Sequence, residues 1–112
     1  MTEESEAIAA ADDVATQHLW RSVRAKVLAR RGFHEEAEAL ARESIRIIES
    51  AQDPDSQGHA YLDLGEVLRL AGRLDEAIAA AGIATARFEA KGNTASASRA
   101  RAVARELSNA AR

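Results

Sequence analysis

Displaced by 40 residues, the chain partly coincides with itself. Val27-Leu28 falls on Val67-Leu68, Gly32 on Gly72, Glu36-Ala37 on Glu76-Ala77, and Ala39 and Ala41 fall on Ala79 and Ala81. Self-similarity at a fixed period constrains the fold more than any local signal, because each copy is one supersecondary unit that must bury its apolar face on the next. Each copy reads as a helix, a glycine turn and an acidic, alanine-bearing start to a second helix. Repeated once, that unit describes antiparallel helical hairpins stacked side by side. Ala37 and Ala77 recur for a packing reason: a larger side chain there would hold the two helices of a hairpin apart.

The composition agrees. Of 112 residues 27 are alanine, one is proline and four are aromatic, which favours helices over strands. Without cysteine the chain has no disulfide and no thiolate nucleophile or metal ligand. Gly32, Gly72 and Gly92 each follow a helical stretch with a basic residue near its end, the pattern of a helix C-terminus. Asp12-Asp13, Asp53-Pro54-Asp55-Ser56 and Asn93-Thr94 offer N-cap oxygens or a first-turn proline. The spacing predicts about six helices, over 3–11, 13–31, 34–52, 56–71, 74–91 and 94–110, and no strand. One apolar stripe marks each long helix. The stripes are Leu19, Val23, Val27 and Leu28; Ala37, Leu40, Ala41, Ile45 and Ile48; Tyr61, Leu64, Val67, Leu68 and Ala71; Ala77, Ala80, Ala81, Ala84 and Phe88; and Ala100, Val103, Ala104 and Leu107. Trp20 is expected to pack in the core between repeats, with a partner hot spot as the other reading.

The residues resemble tetratricopeptide repeats. In the second unit, Tyr61, Leu64, Gly65 and Leu68 match that family's aromatic, its Leu-Gly pair and the following large residue, and Ala77 and Ala84 match the small residues of the second helix. The first unit fits through Leu28, Gly32, Ala37 and Ser44, with Arg24-Ala25 in place of Leu-Gly. The stretches 12–30 and 62–73, with Glu89-Ala90-Lys91-Gly92-Asn93, further resemble the repeat tails of bacterial multidomain regulators that carry a cyclase or activator module and an ATPase module. The resemblance implies a single all-α domain over 1–112, a short right-handed solenoid. Its parts are a cap helix running into the first repeat over 1–18, repeats at 19–52 and 56–91, and a capping helix at 94–110.

A non-catalytic, cytoplasmic protein-interaction module is the expected function, with a regulatory tail acting within a larger chain as the alternative. The repeat register implies a concave surface of Ser22, Lys26, Ala29, Arg30, His59, Leu62, Glu66, Arg69 and Leu70, which would hold a protein or peptide. Lys26 and Glu66 occupy the positions where some repeats of this type carry carboxylate-gripping asparagines, so that clamp is not expected. Self-association as a homodimer would cover the ends if the caps do not.

Other functions find little support. The net charge of −3 argues against nucleic acid as the partner, and the basic run Arg21, Arg24, Lys26, Arg30 and Arg31 reads as a solvated face. No apolar run suits a membrane span. His18, His34 and His59 lie on separate helices without metal-ligand spacing, and no glycine-rich phosphate loop or cofactor motif occurs.

Overall fold

The computed structural model describes the backbone of residues 3–112 and the side chains of residues 14–112. Among the described residues it contains five helices and no strand: α1 (Glu3–Arg30), α2 (His34–Glu49), α3 (Pro54–Leu70), α4 (Leu74–Lys91) and α5 (Thr94–Ala110). The last two follow the predicted spans to the residue. At the other end, the helices expected at 3–11 and 13–31 are one helix of 28 residues. Asp12-Asp13 carries cap-forming side chains, but aspartate inside a helix costs only a few tenths of a kcal/mol, about 0.5, and no glycine or proline interrupts the run.

The glycine turns close each hairpin. Gly32 and Gly72 adopt φ of 89° and 79°, a left-handed conformation open to glycine at little cost. Each is bracketed by paired hydrogen bonds: Gly32 N–H to the Ala29 carbonyl (3.1 Å) and Phe33 N–H to the Leu28 carbonyl (3.0 Å), then Gly72 to Arg69 (3.0 Å) and Arg73 to Leu68 (2.9 Å). These satisfy carbonyls that a helix end would otherwise leave bare. Phe33 and Arg73 then serve directly as the N-caps of α2 and α4, so the turns contain almost no slack. Asp53 caps α3 by accepting from Ser56 N–H, and Asn93 caps α5 by accepting from Ser96 N–H at 3.1 Å.

Hairpins α1·α2 and α3·α4 stack through α2·α3 and α1·α3, and α5 packs on α4. The interior is built from small side chains. Of the eighteen buried hydrophobic residues, eleven are alanine, which lets helix axes approach to the lower part of the usual range of about 8–10 Å. Ala37 and Ala77, and Ala41 and Ala81, are essentially inaccessible; Ala39 and Ala79 share the repeat but face solvent. Leu64, Val67, Leu68, Ile45, Ile48 and Leu107 fill one cluster, and Phe88 with Ala84, Ala97 and Ala100 fills a second. Tyr61 and Leu62 lie against both.

The tightest contact in the stack is at Gly58. A Cβ there would stand 2.7 Å from Cε1 and Cζ of Phe88, which is fully buried and meets the His59 ring edge-on, centroids 5.0 Å apart. Gly65, the glycine of the Leu-Gly pair, is less constrained: its Cβ would make an ordinary 3.5 Å contact with the Ala77 carbonyl oxygen.

Candidate interaction site

Of the stripe read as the inner face of α1, Leu28 packs against the core, while Leu19, Val23 and Val27 lie outside together with Trp20. Leu19, Trp20, Val23 and Val27 are 58%, 42%, 51% and 38% exposed. The face that meets α2 carries His18, Ser22, Ala25 and Ala29. The physical reason is volume: past His18 the residues that meet α2 are the small Ser22, Ala25 and Ala29, and Ala25 occupies the repeat position of Gly65. The expectation of a core Trp20 is therefore corrected. Its indole N–H donates to Gln17 Oε1 at 3.1 Å, and the Arg21 guanidinium lies over the ring at 4.3 Å.

Ser22, expected on the concave surface, is instead only 1% exposed. It belongs to a buried polar cluster. The Ser44 hydroxyl donates to the His18 carbonyl at 2.7 Å. Its one proton being so used, Ser44 Oγ must accept from the Ser22 hydroxyl at 2.7 Å and from His18 Nδ1–H at 3.2 Å. That assigns the tautomer of His18. Burial holds its pKa below the usual value, partly offset by the charges of Asp63 and Asp53. Ala29 is likewise buried. His18 and Ser44 thus tie α1 to α2 and have no surface role.

The remaining predicted residues gather along the seam of α1 and α3. Lys26 Nζ pairs with Asp63 at 3.0 Å, and Arg69 forks onto Glu66 with Nη2 to Oε1 at 2.6 Å and Nε to Oε2 at 3.0 Å. The hydrogen bond from Arg69 lowers the Glu66 pKa against its burial, and the charges of Arg30 and Lys26 act in the same direction. Those effects bring Lys26, Arg30, Glu66 and Arg69 into one electrostatic neighbourhood spanning two helices. Asp63 belongs to it and was missed in the sequence; its signal was the turn-spaced position, one helical turn before Glu66. Three cations face two carboxylates here. Both carboxylates are paired, while Arg30 is exposed and makes no ion pair among the described residues. Leu62 and Leu70 are half-buried and pack against the core, and exposed His59 stands near the start of α3 against Phe88. The structural repeat positions Leu64, Leu68, Ala77 and Ala84 are buried, and Leu28 and Tyr61 half-buried.

Among the described residues no three His, Cys, Asp or Glu side chains gather where they could hold a metal ion, and no helix is long and apolar enough to cross a membrane. The arrangement presents a surface made of helix faces, and such a stack of hairpins defines a helical repeat protein. The sequence model of the tetratricopeptide repeat matches residues 16–90. The chain belongs to the tetratricopeptide-repeat family, whose repeats generally mediate protein–protein interaction and are not catalytic. No curated protein and no solved structure matched the chain.

Proposed function

We propose that the chain is a regulatory interaction module that holds a segment of another protein across the seam of α1 and α3, through Lys26, Arg30, Glu66, Arg69, His59, Leu62 and Leu70. One observation carries this reading. The Lys26–Asp63 contact at 3.0 Å binds the two first helices of the hairpins into one surface, on which the neighbouring carboxylates are already paired and Arg30 is left as the unpaired cation. A carboxylate of the partner is the group that completes it. The regulatory setting rests on the resemblance of 12–30 and 62–73 to repeat tails of bacterial multidomain regulators, where a tail of this kind acts on its own chain or on a partner. Self-association at an uncovered end of the stack is compatible with this reading and uses another surface.

The test is a photo-crosslinking amino acid in place of Arg69, with Arg30→Glu as the competing variant. Crosslinks to a protein partner that disappear with Arg30→Glu, while the circular dichroism spectrum stays unchanged, support the seam. Crosslinking that is indifferent to Arg30→Glu sinks it.

A further inference from the structure

We infer that the outer face of α1 is a self-complementary docking surface on which a second copy of this chain lies antiparallel. Comparison with the repeat shows that this face has no neighbour among the described residues. At a shift of 40, Trp20 corresponds to Ala60 and Val27 to Val67; Ala60 and Val67 are 1% and 0% exposed, whereas Trp20 and Val27 are 42% and 38% exposed. The same positions that bury in the second hairpin are open in the first. Thr16, Leu19, Trp20, Val23, Arg24 and Val27 form one continuous patch there.

The spacing of the patch says what fits it. Thr16, Trp20, Val23 and Val27 are separated by four, three and four residues, which is the seam of a two-helix coil and reads the same in both directions. An antiparallel copy therefore sets Trp20 against Val23 of the other chain and Thr16 against its Val27, in two pairs related by a twofold axis. That is the isologous geometry of a closed dimer.

Charge selects the same orientation. Residues 3–13 hold five acidic residues and no basic one, and residues 21–31 hold five basic residues and no acidic one. In the register above, position 12 of one copy falls level with position 31 of the other, an acidic residue opposite a basic one. A parallel pair would set like charges side by side. Arg24 and Arg31 are exposed and make no ion pair among the described residues, while Arg21 and Lys26 are already taken by Glu43 and Asp63. The opposite end of the stack offers no matching face for a head-to-tail chain: α5 exposes Val103 singly, between Arg101 and Arg105. The ring of Trp20, fixed by Gln17 and Arg21, is the rigid anchor of the pair.

The apolar stripe is about 17 Å long and, at roughly one helix diameter in width, covers on the order of 200 Å², well short of the roughly 800 Å² per partner of a standard interface, so the dimer is expected to be weak and to dissociate in the upper micromolar range. Sedimentation velocity from 5 μM to 1 mM should show monomer passing to dimer, with Trp20 emission shifting to the blue. Val23→Glu, at a half-exposed site, should keep the helical spectrum and remain monomeric to 1 mM. Arg31→Glu should raise the dissociation constant about tenfold, and adding Asp12→Arg should restore it. A wild-type chain that stays monomeric at 1 mM, a dimer indifferent to Val23→Glu, or a double charge reversal that fails to restore association would each overturn the proposal. Because the readout is molecular mass and none of these variants touches the α1–α3 seam, failure here leaves the seam reading standing, and the reverse.

Discussion

Alanine substitution at the three mid-helix glycines, Gly58, Gly65 and Gly82, separates packing from helix propensity, because the propensity gain is about 1 kcal/mol at each. At Gly82 an added Cβ meets nothing within 4 Å, so Gly82→Ala should stabilise the fold by that full amount, about 4 °C in Tm for a chain of this size. At Gly65 the methyl makes only van der Waals contact, 3.5 Å from the Ala77 carbonyl oxygen and 3.8 Å from the Ala80 Cβ, and most of the gain should survive. At Gly58 the methyl would stand 2.7 Å from two ring carbons of Phe88, about 1 Å inside the ordinary separation of carbon atoms. Phe88 is inaccessible and braced by His59, so the ring has nowhere to retreat. Overpacking of this kind costs about 1–3 kcal/mol. Gly58→Ala should therefore end between neutral and about 2 kcal/mol destabilised, roughly 1–3 kcal/mol below Gly82→Ala. Urea denaturation followed by circular dichroism measures all three, and repeating Gly58→Ala in a Phe88→Leu background isolates the contact. Equal stabilisation at Gly58 and Gly82, or a Gly58→Ala cost unchanged by Phe88→Leu, would refute the reasoning.

Three further outcomes are expected. His18 has its folded pKa lowered by burial, so the unfolded chain takes up a proton first as pH falls below about 6.5, the ordinary value. Stability present at pH 7.5 should decline through pH 5.5, and His18→Gln should flatten that slope in thermal melts; a wild-type stability that rises on acidification contradicts the assignment. Glu38, Asp53 and Glu66 have lowered pKa values, and their contribution should be lost separately, below about pH 4.5. Ala77→Leu should destabilise by about 1–3 kcal/mol through overpacking at a buried helix crossing, whereas Ala79→Leu at the neighbouring exposed repeat position should change stability by less than about 0.5 kcal/mol; a similar cost for both would mean that the Ala77 crossing is not close.

The hairpins were legible in the sequence because glycine turns and alanine crossings are local and recur at 40 residues. Gly72, Gly92 and Asn93 alone bound α4 and the start of α5. Apolar periodicity misplaces the inner face of α1, because close stacking demands small residues there, here Ser22, Ala25 and Ala29. The correspondence of Ala25 with Gly65 carried that information. Gly58 was unreadable as a packing residue, since its constraint is the ring of Phe88, thirty residues away. Lys26, Arg30, Glu66 and Arg69 were legible from register, but their pairing, and the presence of Asp63 between them, depend on the spacing of two helices that no single-helix pattern reports.

The slack-free glycine turns have a kinetic consequence. When the residue that ends one helix closure also begins the next helix, each hairpin is a local search over about forty residues, and the substantial helix pairings other than α1·α3 join chain neighbours. Such a topology has low contact order and folds fast. Opening is equally local: a stack whose units contact only their neighbours unzips from its ends, so amide exchange should be quickest in α5 and slowest where α2 and α3 meet.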